Sequence, residues 1–158
     1  RNSMELPRRI SRKRQLMFES LTKHLSAIEN AGDFGNWVVD RKSKGTMDDP
    51  IKMPYVNYGT MVTDVEQAIY NFVDKHPEYG LTHYRDILEH NGLEWDSQAM
   101  SEADVSKLSG QAVMALLLGA VRAERFCDGA LLGFFEDGSI RRWLVRLREI
   151  DEQDGDEG

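Results

Sequence analysis

The chain has few of the residues from which covalent or metal crosslinks are built. One cysteine in 158 residues cannot form a disulfide within the chain, and it excludes a zinc site built from several cysteines. With only 4 prolines, 41% hydrophobic and 30% charged residues, the composition is that of a soluble globular protein rather than a disordered one. No apolar run approaches the roughly 20 residues that cross a bilayer, and the basic start lacks the apolar core of a secretory signal. We therefore expect a cytoplasmic protein with no membrane segment.

The common signatures of catalysis and cofactor binding are also missing. The sequence contains no phosphate-binding glycine loop, no dinucleotide fingerprint, no nucleophile elbow and no pair of zinc-type histidines. His83 and His90 lie two helical turns apart, about 10 Å along the axis, which is too far to share one ion. Asp86 is four residues before His90 but no third ligand is near in sequence. We expect no metal and no cofactor, and these absences favour a protein that is not an enzyme.

Charge is unevenly distributed along this acidic chain. The net charge of -7 disfavours nonspecific attraction to nucleic acid, but the two ends carry opposite charge. Met4 resembles a natural initiator, so residues 1–3 are interpreted as expression residues. We predict a basic N-terminal extension over residues 1–10, a single helical domain over 11–150 and a disordered acidic tail over 151–158. The cations that crowd the start are Arg8, Arg9, Arg12, Lys13 and Arg14.

Helical periodicity dominates the remainder and predicts a mainly α fold, a compact bundle of about five to seven helices. Apolar residues recur every three or four positions, and serine, threonine or glycine stands where each segment should begin or end. The segment from Gly110 onward is apolar around most of its circumference, which is typical of a central helix. The predicted helices span about 11–30, 63–76, 82–91, a short one from Ser101, then 110–125, 129–137 and 139–150.

Residues 33–59 show no helical period, and they divide the first predicted helix from the second. Trp37 to Val39 and Pro54 to Tyr58 are rich in β-branched and aromatic residues, and a polar, turn-forming run separates them. We predict a short two-stranded hairpin between the first and second helices. An alternative is an extended segment that lays its aromatic side chains across the helical core. Exposed aromatic side chains here would instead indicate a binding face.

The stretch from Arg122 to Gly129 packs charge, the only cysteine and a helix break between two apolar runs. A structural interpretation makes it a corner between two helices, with Phe126 packed inward and Asp128 capping the next helix. A functional interpretation makes it a polar site for an anion or for proton transfer, with Cys127 as a nucleophile just before a helix N-terminus. The candidate site residues are Glu124, Arg125, Cys127 and Asp128. The structural interpretation is favoured, and capping and packing explain Glu124 least.

Three segments also carry a family resemblance: residues 53–58 (MPYVNY), 76–81 (HPEYGL) and above all 122–131 (RAERFCDGAL) followed by 143–147 (WLVRL). From about Trp37 to Ile150 the chain resembles the bacterial "domain of unknown function 6508" family. The resemblance implies a small, mostly helical, cytoplasmic bacterial protein. It implies no activity, so it supplies no site residues. The predicted first helix, from Ile10 to Ala31, lies outside the part that carries the resemblance.

Three functions remain as hypotheses. The first is a non-enzymatic interaction or regulatory module that binds a protein partner. The second is nucleic-acid binding through the basic N-terminal helix and the arginines of the last helix, which are Arg141, Arg142, Arg146 and Arg148. The third is an enzyme with a polar site around Glu124 to Asp128.

Overall fold

The computed structural model describes residues 16–157, and the side chains as far as Asp154. Its α-helices in chain order are α1 (Glu19–Thr22), α2 (Leu25–Asn30), α3 (Thr60–Lys75), α4 (Tyr84–His90), α5 (Ser97–Glu102), α6 (Gly110–Ala123), α7 (Ala130–Glu136) and α8 (Ser139–Glu157). Three single 3₁₀ turns lie between them, at Pro77–Tyr79, Leu81–His83 and Val105–Lys107. Two strands, β1 (Gly35–Val38) and β2 (Tyr55–Tyr58), separate α2 from α3. The mainly α fold class is confirmed.

The centre of the bundle is α6. All residues from Ala112 to Val121 are buried, as predicted for a helix that is apolar around its whole circumference. Ser109 caps it as expected, its hydroxyl accepting the Ala112 N–H at 3.2 Å. Helices α3, α4, α7 and α8 pack around it, and the indole of Trp143 on α8 is wholly buried in the shared core. The apolar faces of the surrounding helices therefore meet on one continuous interior.

The hairpin prediction is also confirmed. β1 and β2 pair antiparallel with Gly35 opposite Tyr58, Trp37 opposite Val56 and Val38 opposite Tyr55. Side chains alternate between the two faces of a strand, so Trp37 and Tyr58 share one face while Val38 and Tyr55 share the other. The hairpin follows α2 rather than the first helix, because the described part of the predicted helix over residues 11–30 forms two short helices. Between them the His24 N–H bonds the Leu21 carbonyl, three residues back, at 3.1 Å.

Several predicted boundaries shift. Ser101, predicted to begin a short turn or helix, instead lies in the last turn of α5, whose start is capped by the Asp96 carboxylate accepting the Ala99 N–H at 3.0 Å. The residues that follow form only the 3₁₀ turn Val105–Lys107. The last helix runs on to Glu157, whereas the sequence placed its end at Ile150. Asp151, expected to begin a disordered tail, is 3% exposed. Its carboxylate accepts the N–H groups of Met17 and Phe18, at 3.1 and 2.9 Å.

The predicted N-terminal extension, residues 1–10, lies outside the described residues. Among the helices of residues 16–157, none combines the length and the apolar character needed to cross a membrane.

Candidate functional site

The corner between α6 and α7 is organised by Glu124. The helix α6 ends at Ala123, and six residues later the chain turns into α7 through Gly129, whose φ of 92° lies in the left-handed region. The half-buried Glu124 carboxylate reaches across this turn. Its Oε2 accepts the Gly129 N–H at 3.1 Å, and its Oε1 accepts the Leu131 N–H at 3.0 Å. A carboxylate at this position satisfies backbone donors that have no partner within the helix and also complements the helix dipole.

This arrangement corrects the sequence interpretation of the corner. Asp128 was expected to cap α7, but α7 has no side-chain cap from its neighbouring residue and Asp128 is exposed. Glu124, which the sequence left without a structural role, supplies the cap from five residues before Gly129. Phe126 was expected to pack inward, yet 76% of it is exposed, and its ring lies nearly perpendicular to the Trp95 ring with the centroids 5.6 Å apart.

The same carboxylate fastens the hairpin to the corner. The Tyr58 hydroxyl on β2 donates to Glu124 Oε1 at 2.7 Å and accepts the Leu132 N–H at 2.9 Å. The two side chains therefore share the N-terminal donors of α7. Gly129 takes part as well, because the Trp37 ring occupies the space where a side chain at that position would begin. Phe34 extends the contact, with its ring 5.2 Å from that of Phe135 on α7.

The electrostatics of the corner follow from partial burial. Desolvation, and then the hydrogen bond to Glu124, hold the pKa of Tyr58 well above its ordinary value. Burial also raises the pKa of Glu66 on α3, and the charge of Glu124 adds to that shift. Arg122 lies in the last turn of α6 as predicted, and among the described residues its buried Nε has no hydrogen-bond partner. The corner is therefore an acidic cluster whose central carboxylate is already occupied by donors.

The four candidate site residues are not drawn into one cluster. Glu124 points into the corner, whereas Arg125, Cys127 and Asp128 are exposed on the loop that follows it. Among the described residues, no hydrogen bond or ion pair joins Cys127 to a base. A nucleophile activated by its neighbours requires such a contact. The geometry therefore supports a structural role for Glu124 and provides no catalytic arrangement around Cys127.

The histidine candidates are not assembled into a metal site either. His83 Nδ1 lies 4.0 Å from the Asp86 carboxylate, while His90 Nδ1 contacts the Asp86 backbone carbonyl at 2.8 Å. Within residues 16–157, no group of three or more histidine, cysteine or acidic side chains is placed to hold a metal ion.

Most arginines of the last helix are engaged with the protein itself. Arg141 pairs with Glu29 at 3.2 Å, and Arg142 and Arg146 donate to the backbone carbonyls of Ser101 and Leu108 at 2.6 and 3.1 Å. These contacts tie α8 to neighbouring segments. The basic residues of the N-terminus, Arg8, Arg9, Arg12, Lys13 and Arg14, lie outside the described residues.

Most of the exposed large apolar side chains of residues 16–157 lie on the hairpin and on the loop that joins its strands. Val38 and Tyr55 form a cross-strand pair on the outer face and are 38% and 55% exposed. The loop that joins the strands adds Met47, Ile51 and Met53, at 99%, 63% and 82% exposure. We call these five residues the outer hairpin surface. The sequence pointed to Tyr55 but not to the others, although apolar residues within a polar loop were a signal that could have found them.

The loop between the strands is ordered by two aspartates. The Asp40 carboxylate accepts the N–H groups of Lys42, Ser43 and Lys52 at 3.1, 3.0 and 2.7 Å. These bonds hold the pKa of Asp40 far below its ordinary value. Asp49 accepts the Lys44 N–H at 3.0 Å. The loop is thus pinned at both ends, with its basic side chains exposed to solvent.

A polar groove of about 670 Å³ is lined by residues of α4 and of the turn before it, and by residues 93–96. Arg85 stacks over the Trp95 ring there, 4.7 Å from its centroid. The Trp95 indole N–H donates to the Gly119 carbonyl of α6 at 2.9 Å. These contacts give Trp95 a packing role between α4 and α6.

Comparison with known proteins adds a family but no activity. The sequence model of a family of unknown function (DUF6508) matches residues 14–153. The match covers most of the chain, so the protein belongs to this family. It also extends the resemblance to α1 and α2, which the recognised motifs did not reach. The chain matches no curated protein and no solved structure.

Proposed function

We propose that this protein is a non-enzymatic interaction module that binds a protein partner through the outer hairpin surface. The observation that carries the proposal is the exposure of five large apolar side chains on the hairpin and on the loop that joins its strands. Monomeric soluble proteins rarely expose extended apolar patches, and those that do commonly use them for binding. The hairpin is also held rigidly by Glu124, Tyr58 and Trp37, so binding to its outer face requires little ordering.

The charge around this surface defines the chemistry of the partner. Lys42, Lys44 and Lys52 are exposed on the loop that carries Met47, Ile51 and Met53. Of the three aspartates in that loop, Asp40 and Asp49 are half-buried and accept backbone N–H groups, and Asp48 is exposed. Among the described residues none of the three lysines forms an ion pair. A partner surface with an apolar centre and carboxylates at its rim would be complementary, since interfaces combine a desolvated core with a polar rim.

The other two hypotheses have less support. For catalysis, Glu124 is occupied by three hydrogen-bond donors and is not in contact with Cys127. For nucleic-acid binding, Arg141, Arg142 and Arg146 are engaged in intramolecular contacts. The proposal places the protein in the bacterial cytoplasm, because an exposed lone thiol is typical of a reducing compartment.

A matched set of variants tests the proposal. Val38→Ser/Tyr55→Ser removes the cross-strand apolar pair, and Leu16→Ser removes an apolar side chain of similar exposure (39%) outside the hairpin. The parent chain and the two variants are each crosslinked in cells of the native host, and the crosslinked proteins are identified. Every candidate partner is then purified, and its affinity for the parent chain and for both variants is measured by titration. We expect one partner whose affinity falls roughly 30-fold for the double variant, about 2 kcal/mol, and is unchanged for Leu16→Ser. Equal affinity for all three forms, or no partner at all, would contradict the proposal.

A further inference from the structure

We infer that the free edge of β1 pairs with β1 of a second copy of this chain, which joins two hairpins into one four-stranded antiparallel sheet. This inference goes beyond the proposed function, because it concerns the edge of the hairpin and not its outer face.

The first argument is the direction of the backbone groups. The Gly59 N–H donates to the Phe34 carbonyl at 3.0 Å, directly opposite in the register. Hydrogen-bonded and non-hydrogen-bonded pairs alternate along antiparallel strands. Gly35 and Trp37 therefore direct their N–H and C=O groups away from β2, and Val39 continues the series. Within the described residues, none of these three N–H groups has a hydrogen-bond partner.

The second argument is that only one edge of the hairpin is protected. On β2 the outward series is Tyr58, Val56 and Pro54, and proline has no N–H to donate. Lys52 lies two residues before Pro54. Prolines and lysines are the residues with which proteins block edge strands. On the other edge, residues 34–39 (FGNWVV) contain no charge and no proline. β1 is also the more exposed strand, with three of its four residues exposed.

The third argument is that the β1 edge is self-complementary in charge. Asp33 precedes the strand and Arg41 follows it, at equal distances from Trp37. Antiparallel pairing of two copies about Trp37 places Gly35 opposite Val39 of the second copy, which matches the outward-pointing series. It also brings each Asp33 to the Arg41 end of the other strand. Both residues are exposed, and neither forms an ion pair with another described residue.

Such an interface is isologous, the same patch on both copies, which is the commonest symmetry of protein dimers. A pairing of this length buries little area, so we expect a reversible dimer that depends on concentration. The outer faces of the two hairpins remain uncovered and become continuous, because edge pairing uses backbone groups that lie in the plane of the sheet. Dimer formation therefore enlarges the outer hairpin surface and does not block it.

Sedimentation equilibrium of the full chain, from about 10 μM to about 1 mM, measures the dimer directly. Val39→Pro removes one edge donor from each copy and should weaken the dimer roughly tenfold or more, whereas Val39→Thr keeps the donor and should not. Arg41→Asp places like charges opposite each other and should weaken it roughly fivefold. The combined change Asp33→Arg/Arg41→Asp restores the complementarity and should restore the dimer.

Amide hydrogen exchange gives a readout that needs no variant. Raising the protein concentration should protect the amides of Gly35, Trp37 and Val39 and leave those of Val56 and Tyr58 unchanged. A protein that is monomeric throughout the concentration range overturns the inference, as does a dimer that is insensitive to Val39→Pro. If the charge swap fails to restore the dimer, the register about Trp37 is wrong. These experiments measure self-association of this chain alone, whereas Val38→Ser/Tyr55→Ser tests the binding of a different protein.

Discussion

Replacing Glu124 with alanine removes the acceptor of three hydrogen bonds at once. The carboxylate accepts from the Tyr58 hydroxyl at 2.7 Å, from the Gly129 N–H at 3.1 Å and from the Leu131 N–H at 3.0 Å. A hydrogen bond to a charged group contributes about 1.5–3 kcal/mol, but the shared and partly solvated acceptor makes the three bonds less than additive. We expect a loss of about 3 kcal/mol in the free energy of unfolding, which lowers Tm by about 6–12 °C in a chain of this size.

Tyr58→Phe tests the same network from the hairpin. The change removes the donor to Glu124 and leaves the Leu132 N–H without its acceptor, which should cost about 2 kcal/mol. Because the two side chains share one network, the double variant should lose about 1–2 kcal/mol less than the sum of the single changes. Glu136→Ala, at an exposed position on α7, is the control and should stay within about 0.5 kcal/mol of the parent chain.

Urea and thermal unfolding followed by circular dichroism measure these differences. If Glu124→Ala costs no more than Glu136→Ala, or if the effects of Glu124→Ala and Tyr58→Phe simply add, the network does not hold the corner together.

Alkaline titration provides an independent check on Tyr58. Its pKa is raised in the folded protein, by burial and by the bond to Glu124, whereas the unfolded chain releases the proton near its ordinary value. The stability that this proton contributes is therefore complete below about pH 10 and is lost as the pH rises toward the folded pKa. Ultraviolet titration should show a tyrosine that ionises above the ordinary pKa of its side chain, and Glu124→Ala should lower the pKa of that group.

Three further changes test other parts of the structure. Asp151→Ala leaves the backbone N–H groups of Met17 and Phe18 without an acceptor. The free energy of unfolding in urea should therefore fall by about 1–3 kcal/mol. Gly129→Ala combines a φ of 92° with overlap of the Trp37 ring, and should cost about 2 kcal/mol or more and alter tryptophan fluorescence. Gly133→Ala, in open space on α7, is its control and should be neutral or stabilising. Cys127 is exposed, so a thiol reagent should modify it in the folded protein about as fast as in the denatured chain, and protection would contradict the exposed loop.

The sequence predicted those parts of the fold whose signals are local. The run from Ala112 to Val121 is apolar on every side of the helix, and only a central helix can bury such a surface. The aromatic and β-branched residues around Trp37 and Tyr55 indicated strands for a similar reason, since they fit a pleated surface. In both cases the property that decides the structure can be read within a window of a few residues.

The corner and the end of the chain escaped prediction because their contacts are distant in sequence. Asp128 was the natural cap for α7 by adjacency, but the longer side chain of Glu124 reaches both the turn and Tyr58, 66 residues away. In the sequence, Asp151 resembles the start of an acidic tail. In the fold its carboxylate accepts the backbone N–H of Phe18, which lies 133 residues earlier in the chain. Capping rules describe which side chains are competent acceptors. They do not say which of several acceptors the tertiary fold brings to the donor.

The motif from Arg122 to Gly129 gains a different meaning from these contacts. Two residues of the motif, Glu124 and Gly129, contact the hairpin, one through Tyr58 and the other through the Trp37 ring. An isolated two-stranded hairpin is at best marginally stable in water. The corner therefore supplies the inner-face packing that keeps β1 and β2 in place, while the outer face and the β1 edge stay free. The most distinctive sequence in the chain thus has its effect some distance away, on the surface through which we propose that the protein binds its partners.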